Sequence, residues 1–277
     1  MRKISGGAVL INYRIFVACC FALLLTACSN SNPGEAFAPG APTDAAVGGL
    51  WDGTGTDDLE PGVVRIIGVV AEDGRAEYFK VDSNTGRPDF TDDGVQFAGT
   101  ITSLENVISG NIRIYAPVGT TFQNGATVAA GTLAGTITER TDIKGNWTAE
   151  SGDTGTIDQF FSNLYDRDSA LSVTDGSWTG TSSLGRPLVL DISPSGTISG
   201  IDTNSPACVY LSAVDDGVNI IDPTFNVYEV NIDITGCPLA NGSYSGLGFT
   251  SDGSLGEDIF TISVTNNDRA ILIEVTR

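Results

Sequence analysis

The sequence contains five cysteines and 34 carboxylates that could take part in chemistry, but it contains no histidine. Without histidine, Ser-His-Asp and Cys-His catalysis, histidine-ligated zinc and imidazole acid–base chemistry are excluded. Catalysis would have to rest on carboxylates, tyrosine, lysine or a Ser–Lys pair, and nothing in the spacing singles out such a group. We therefore predict no catalytic, cofactor-binding or metal-binding residue, and a protein that is not an enzyme.

Cys28 stands at the end of an N-terminal targeting pattern. Residues 1–14 carry three basic side chains and no acid, and Ile15–Leu25 is an apolar run of eleven residues. A membrane-spanning helix needs about 20 apolar residues, so this run is typical of the core of a signal peptide. The ending Leu25-Thr26-Ala27-Cys28 resembles the lipobox of bacterial lipoproteins. That resemblance implies a signal peptide at residues 1–27 and lipid attachment to Cys28; the alternative is an ordinary signal peptide with a chance cysteine.

Lipid on Cys28 would tie the protein to a membrane. Each buried methylene contributes about 0.8 kcal/mol, and two or more acyl chains anchor stably. Ser29 follows the cysteine, and resemblance to Gram-negative lipoproteins implies that a residue other than Asp there favours export to the outer membrane. Residues 28–46 contain three prolines and no periodicity, which predicts a flexible, disordered tether before the folded part.

The charge of the chain excludes one class of partner. Its 14 basic and 34 acidic residues give a formal net charge of −20. Three of the basic residues precede Cys28, which leaves 11 basic against 34 acidic side chains, or −23, after cleavage. Such a surface repels nucleic acid and anionic lipid headgroups, and we predict no nucleic-acid partner.

An internal repeat divides the chain. Gly49–Thr54 (GLWDGT) is echoed by Gly176–Thr181 (GSWTGT), 127 residues later. After each comes an apolar, strand-like run that ends in a glycine-containing turn. The repeat predicts two homologous β units, at residues 47–165 and 174–277, joined by a short helical turn or an extended linker.

The strand pattern is clearest near the end of the chain. Apolar and polar residues alternate in Tyr228–Ile234 and in Phe260–Thr265, which predicts one buried and one solvent-exposed face. Ala270–Val275 is apolar on both faces, so it lies centrally or is covered. Seven or eight strands per unit, with turns every 8–12 residues, are typical of a small up-and-down barrel or a sandwich. The predicted fold is therefore all-β, with two tandem small antiparallel barrel or sandwich units.

Cys208 and Cys237 are the cysteines that remain after Cys28 is acylated and the signal peptide is removed. A pair in an oxidising compartment is expected to form a disulfide. Closing a loop of about 30 residues stabilises the fold by about 3.5 kcal/mol in the chain-entropy model. Since the spacing is not Cys-x-x-Cys, we predict a structural bridge within the second unit and not a redox-active pair.

All three tryptophans, Trp51, Trp147 and Trp178, stand in a Gly-x-Trp context. Gly-x-Trp on a first strand resembles the start of lipocalins and avidins, in which the tryptophan plugs one end of the barrel. It is also similar to the barrels of Gram-negative surface lipoproteins that bind host proteins. We predict that these rings pack a barrel floor, with ligand stacking as the alternative.

A broader pattern covers most of the mature chain. It resembles a group of uncharacterised two-repeat lipoproteins of Gram-negative bacteria, and this resemblance implies architecture and location only. The motifs that carry it, beside the two repeat starts, are Tyr165–Ser169, Ala207–Tyr210, Asp222-Pro223, Asn226–Tyr228 and Asn241–Leu247.

Two acidic loops contain residues that could bind a calcium ion. Asp82–Asn84 and Asp89–Gly94 hold oxygen ligands at short spacing. An EF-hand loop starting at Asp82 needs glycine at its sixth position, where this chain has Arg87. We predict solvated hairpin loops, and calcium-dependent adhesion stays open as an alternative.

Together these features predict a membrane-anchored, extracytoplasmic lipoprotein that acts as a binding or structural module of the cell envelope. Its expected partners are the membrane, through acylated Cys28, and an envelope protein or glycan. The alternative is a carboxylate-dependent hydrolase of envelope polysaccharide. A pocket with two carboxylates about 5–10 Å apart would favour that hydrolase, whereas barrels filled by side chains favour an interaction module.

Overall fold

The protein is described from a computed structural model, which covers residues 43–57, 62–88, 90, 96–117, 119–122, 124–237, 239–253 and 255–277. Cys28, the predicted signal peptide and the tether up to residue 42 lie outside these residues. No helical segment in the described ranges has the length and hydrophobicity that a bilayer span requires.

The first half of the chain forms a closed barrel of eight antiparallel strands. Each strand pairs with the next along the chain, and the last pairs with the first, so this is an up-and-down barrel and the sandwich alternative does not apply. The strands are β1 (Gly49–Asp57), β2 (Val63–Val70), β3 (Arg75–Val81), β4 (Gln96–Leu104), β5 (Val107–Tyr115), β6 (Val128–Thr138), β7 (Asp142–Ala149) and β8 (Thr154–Phe161).

The second half forms a second eight-stranded ring. It closes through the pairing of Val209–Leu211 with Tyr228–Thr235 and of Ala270–Thr276 with Gly176–Ser182, while the short strand Val218–Ile220 pairs with Tyr228–Thr235 outside the ring. The predicted all-β fold of two antiparallel barrels is thus confirmed. The strands are β9 (Gly176–Ser182), β10 (Arg186–Ile192), β11 (Ile198–Asp202), β12 (Val209–Leu211), β13 (Val218–Ile220), β14 (Tyr228–Thr235), β15 (Gly242–Asp252), β16 (Asp258–Thr265) and β17 (Ala270–Thr276).

The sequence repeat corresponds to a repeat of structure. The turns after β2 and β10 contain Gly74 and Gly196, each with φ of +85°, a left-handed conformation that glycine adopts without strain. Each glycine carbonyl accepts a 2.8 Å hydrogen bond from a later backbone N–H, that of Ile101 in the first barrel and that of Val218 in the second. The same turn therefore follows the second strand of each barrel, and in both its carbonyl binds the backbone of a later strand: β4 of the ring in the first barrel and β13, outside the ring, in the second.

Each barrel is filled by its inward-facing apolar side chains. The repeat tryptophans Trp51 and Trp178 are fully buried. Each indole N–H donates to the carbonyl four residues earlier, that of Val47 at 3.2 Å and that of Thr174 at 2.8 Å. The two rings therefore pack the interiors of the two barrels in the same way.

The outer walls of the two barrels pack against each other. Val69 and Phe79 of the first barrel join Leu247, Phe249 and Leu272 of the second in one buried apolar cluster. These residues explain why several strands are apolar on both faces, since one face fills a barrel and the other meets the neighbouring barrel. The last strand is covered in this way, as one of the two sequence alternatives predicts.

The polar face of strand β16 differs from what the alternation of apolar and polar residues predicts. Its polar residues Thr261 and Ser263 point out of the second barrel, which predicts exposure to solvent. They are only 3% and 1% exposed, because the first barrel covers this face. The predicted solvent-exposed face of Phe260–Thr265 is therefore wrong: it is a polar part of the interface between the barrels.

The connection between the barrels is a 3₁₀ turn (Asn163–Asp166) followed by a short helix, α1 (Leu171–Thr174). Buried Tyr165 donates its hydroxyl to Glu72 of the first barrel at 2.8 Å and stacks on Phe225 of the second, with 4.7 Å between ring centroids. Several motifs behind the lipoprotein resemblance lie in or against this connection, so their residues have a structural role in joining the barrels.

Candidate functional site

A groove of about 1220 Å³ runs between the outer walls of the two barrels. Strands β3–β7 form one wall, and strands β14 and β15 with two loops of the second barrel form the other. Both walls carry exposed or half-exposed polar side chains: Thr100, Asn111, Thr132 and Thr148 on the first, and Asn231, Asp233, Ser243 and Ser245 on the second.

The polar residues of the first wall stand in one row across four strands. Thr100 is the cross-strand partner of Asn111, Asn111 of Thr132, and Thr132 of Thr148. Neighbouring strands lie about 4.8 Å apart, so the row offers one hydroxyl or amide group per strand at that spacing. Within the described part of the chain, none of these four side chains makes a hydrogen bond. The row is therefore free to bind a ligand.

The second wall repeats this arrangement on two strands. Asn231 pairs with Ser245, and Asp233 pairs with Ser243. The Asn231 amide donates to Asp216 at 3.3 Å. The side chains of the other three have no hydrogen-bond partner among the described residues, so this wall also presents free polar groups.

Contacts between the barrels engage both arginines of the groove. Arg75 lies 3.3 Å from the carboxylate of Glu229. Arg113 donates to the side-chain oxygen of Asn267 at 2.8 Å. In contrast, the exposed carboxylates of Glu150 and Asp233 have no ion-pair partner among the described residues. Because Asn267 is neutral, Arg113 keeps its charge, but the two arginines are outnumbered by the exposed or half-exposed carboxylates of Asp216, Glu229, Glu150 and Asp233, so the net charge of the groove is negative.

Glu77 lies at the inner end of the groove, between the barrels. Its side chain accepts a 2.9 Å hydrogen bond from the Ser263 hydroxyl, which accepts one of 2.7 Å from the Gln96 amide. Burial raises the pKa of the Glu77 carboxyl well above its ordinary value, and the bond from Ser263 opposes this only in part. Sequence reasoning missed Glu77, because its burial depends on a residue 186 positions away.

The predicted cysteine pair lies inside the second barrel. Cys208 and Cys237 form a disulfide with their Cα atoms 4.8 Å apart, which joins the start of β12 to the end of β14. The buried carboxylate of Asp202 lies close to the two sulfurs and pairs with Arg186 at 2.9 Å. Since Asp202 already has a cationic partner and both thiols are oxidised, this cluster is structural.

One of the two acidic loops is described. An Asp82 carboxylate oxygen accepts hydrogen bonds from the backbone N–H groups of Asn84 and Thr85 and from the Thr85 hydroxyl, at 2.8–3.0 Å. These bonds lower the pKa of Asp82 and use this oxygen to hold the turn. The predicted loop Asp89–Gly94 lies outside the described residues, apart from Phe90.

The tryptophans offer no face to a ligand. Trp51 and Trp178 are fully buried and Trp147 is 2% exposed. The Trp147 ring meets Phe97 edge-on, with 5.1 Å between the ring centroids. All three rings contribute to packing, and none lines the groove.

Comparison with known proteins identifies no family. No protein-family model matches the chain, and no curated protein matches it. A solved structure of a protein of unknown function from the DUF3598 family of Nostoc punctiforme is 12% identical, over 84% of this chain and 96% of that one, with a TM-score of 0.25. A similarity at that level is too low to support any inference about the function of this chain.

Proposed function

We propose that the protein is a lipid-anchored binding module of the bacterial cell envelope that holds its ligand in the groove between the barrels. The observation that carries this proposal is the contrast between the filled barrel interiors and the groove, whose walls present polar groups that have no partner among the residues the structure describes. Ligand sites are typically concave surfaces with a few well-placed polar groups. The groove is concave and presents such polar groups, although its lining is more polar than that of a typical small-molecule pocket.

The module is proposed to bind without catalysis. The one buried carboxyl of the groove, Glu77, is 5% exposed and bonded to Ser263, which withholds it from a bound ligand. A carboxylate-dependent hydrolase needs an acid and a second carboxylate that both reach the substrate. The position of Glu77 therefore favours a structural role for this carboxyl.

Anchoring is proposed to depend on lipid at Cys28. A mature charge of −23 repels anionic headgroups, so acyl chains must supply the affinity for the membrane. The chain reaches the first barrel by Asp44, whose carboxylate accepts a 2.7 Å hydrogen bond from the backbone N–H of Glu105. The residues between Cys28 and Asp44 would then connect the membrane surface to the barrels, at the outer membrane if Ser29 acts as in similar lipoproteins.

The anchor is tested by labelling cells with palmitate and by mass spectrometry of the native N-terminus. We expect the polypeptide to begin at an acylated Cys28, and the label to disappear in Cys28→Ala. The matched control is Cys20→Ala, in the apolar run, which should keep the label. A native chain that begins at Met1, or label that survives Cys28→Ala, would contradict the proposal.

The groove is tested by retention of envelope material on the immobilised full-length protein, held in detergent. Thr132 and Thr136 are both exposed on strand β6, but only Thr132 lines the groove. We expect Thr132→Arg to lower retention at least tenfold, because the larger charged side chain obstructs the row of polar groups, and Thr136→Arg to leave it unchanged. Equal retention by the two variants would rule out the groove as the site.

A further inference from the structure

We propose that the ligand of the groove is a glycan chain that is uncharged or carries amino groups. This inference rests on the proposed function and specifies the substrate class of the same site. It follows from three properties of the groove: the chemistry of its free polar groups, the absence of a free strand edge in its walls, and the sign of its net charge.

The free polar groups of the groove are mostly hydroxyls and amides. Thr100, Thr132 and Thr148 on one wall face Ser243 and Ser245 on the other. A hydroxyl both donates and accepts hydrogen bonds, and a sugar hydroxyl does the same. Two walls of such groups therefore match a ligand that carries hydroxyls along both of its sides.

The walls offer no edge to which a peptide strand could be added. Strands β3–β7 and β14–β15 each pair with neighbours on both sides, because they belong to closed rings. Peptides that bind by adding a strand to a sheet gain their affinity from main-chain hydrogen bonds to a free edge, so this mode of peptide binding does not apply to these walls. Tyr115 and Tyr244 line the groove but are buried, so no exposed aromatic ring favours an apolar ligand.

The net charge of the groove selects against anionic chains. Arg75 pairs with Glu229, and the remaining cation, Arg113, bonds to the neutral Asn267, whereas the exposed carboxylates of Glu150, Asp216 and Asp233 also line the groove and leave its net charge negative. A cleft lined by one sign of charge repels ligands of that sign and attracts the opposite one. Neutral and amine-bearing glycans are therefore accepted, and polyuronates or sulfated glycans are rejected.

The length of the polar row requires an oligomeric ligand. Four strands at about 4.8 Å spacing extend the row from Thr100 to Thr148 over about 14 Å. A ligand that engages the whole row must be a chain of several sugars. A monosaccharide would contact only part of it.

The proposal is tested by calorimetric titration of the full-length protein in detergent with three defined oligomers. The probes are a glucosamine pentamer, an N-acetylglucosamine pentamer and a galacturonate pentamer. We expect the first two to bind and the third not to bind. Asp233→Asn should weaken binding of the glucosamine pentamer about threefold to tenfold more than binding of the N-acetylated pentamer, because only the amine gains from the negative charge of the carboxylate.

The matched variants remove hydroxyls without changing side-chain shape. The double variant Thr132→Val/Thr148→Val should lower the affinity for the two binding pentamers at least tenfold. The double variant Thr136→Val/Thr138→Val, which lies outside the groove, should leave that affinity unchanged. The inference is overturned if galacturonate binds as well as the others, or if the groove pair has no effect. If no pentamer binds while Thr132→Arg still abolishes retention of envelope material, the glycan assignment fails and the proposed site stands. If neither is observed, both fail.

Discussion

Glu77 is the single residue that shows most clearly how the second barrel alters the burial and the pKa of a side chain of the first. An acid on an outward position of strand β3 would be solvated in an isolated barrel. In the protein it is 5% exposed and hydrogen-bonded to Ser263 of strand β16. Burial without a cationic partner favours the neutral acid, which raises its pKa. We therefore expect the stability of the interface between the barrels to depend on pH.

We predict that Glu77→Gln removes part of the pH dependence of stability. In the unfolded chain Glu77 ionises near pH 4.3, whereas its pKa in the folded state is higher. Between the two values only the folded state keeps the proton, so the free energy of unfolding falls as pH rises through this window. Glutamine stays neutral and can still accept from Ser263. Its Tm at pH 8 should therefore exceed that of the wild type, and the difference should shrink towards pH 4.

Urea unfolding of both proteins at pH 4, 6 and 8 measures this difference. Glu77→Ala serves as the control, because it removes the acceptor of Ser263 and leaves a cavity, and it should destabilise at every pH. Parallel pH profiles for the wild type and Glu77→Gln would show that the pKa of Glu77 is not raised in the folded protein.

Among the secondary-structure elements, the connection between β8 and β9 has the most specific contacts. Asn226 lies against it, fully buried, and its amide donates to the carbonyls of Leu164 and Thr250 at 3.1 and 2.7 Å. Its side-chain oxygen accepts from the backbone and hydroxyl of Thr250 at 3.0 and 2.8 Å. One side chain thus attaches the 3₁₀ turn to the second barrel.

We predict that Asn226→Ala lowers the free energy of unfolding by about 2–4 kcal/mol, because it leaves several buried polar groups without partners. Asn204→Ala is the matched control, since the Asn204 side chain is exposed and makes no hydrogen bond within the described chain; its effect should stay within about 0.5 kcal/mol. Denaturant titration followed by tyrosine and tryptophan fluorescence gives both values. Equal stability of the two variants would argue against the role assigned to Asn226.

For the molecule as a whole, the packed outer walls make the two barrels depend on each other. Leu247, Phe249 and Leu272 of the second barrel are 2–5% exposed in the protein and would be exposed in an isolated barrel. Each contributes about 1.5–3 kcal/mol when it is buried. A patch of three such side chains on a free barrel is an aggregation site.

We therefore predict that the fragment 174–277 self-associates although its disulfide is intact. Replacing the three side chains, Leu247→Thr, Phe249→Thr and Leu272→Thr, should turn the fragment into a soluble monomer. Size-exclusion chromatography with light scattering measures the outcome. A monomeric unmodified fragment would mean that the interface contributes little.

Local signals in the sequence determined the fold class and the repeat. Period-two alternation marks strands, and glycine at a left-handed turn position marks their ends, as at Gly74 and Gly196. The two late cysteines form the predicted bridge within one barrel. Each of these features depends on neighbours along the chain or on a pair of identical residues, so it can be recognised without coordinates.

Only the tertiary structure decided which outer face of each barrel meets the other and which stays open as the groove. An outward threonine or serine has the same place in the alternation whether solvent or a second barrel lies beyond it. Thr132 faces the groove and Thr136 does not, although both follow a glycine on strand β6, and Ser263 is buried while Ser245 lines the groove. The physical reason is that burial at an interface depends on contacts between residues more than a hundred positions apart, and strand periodicity carries no information about them.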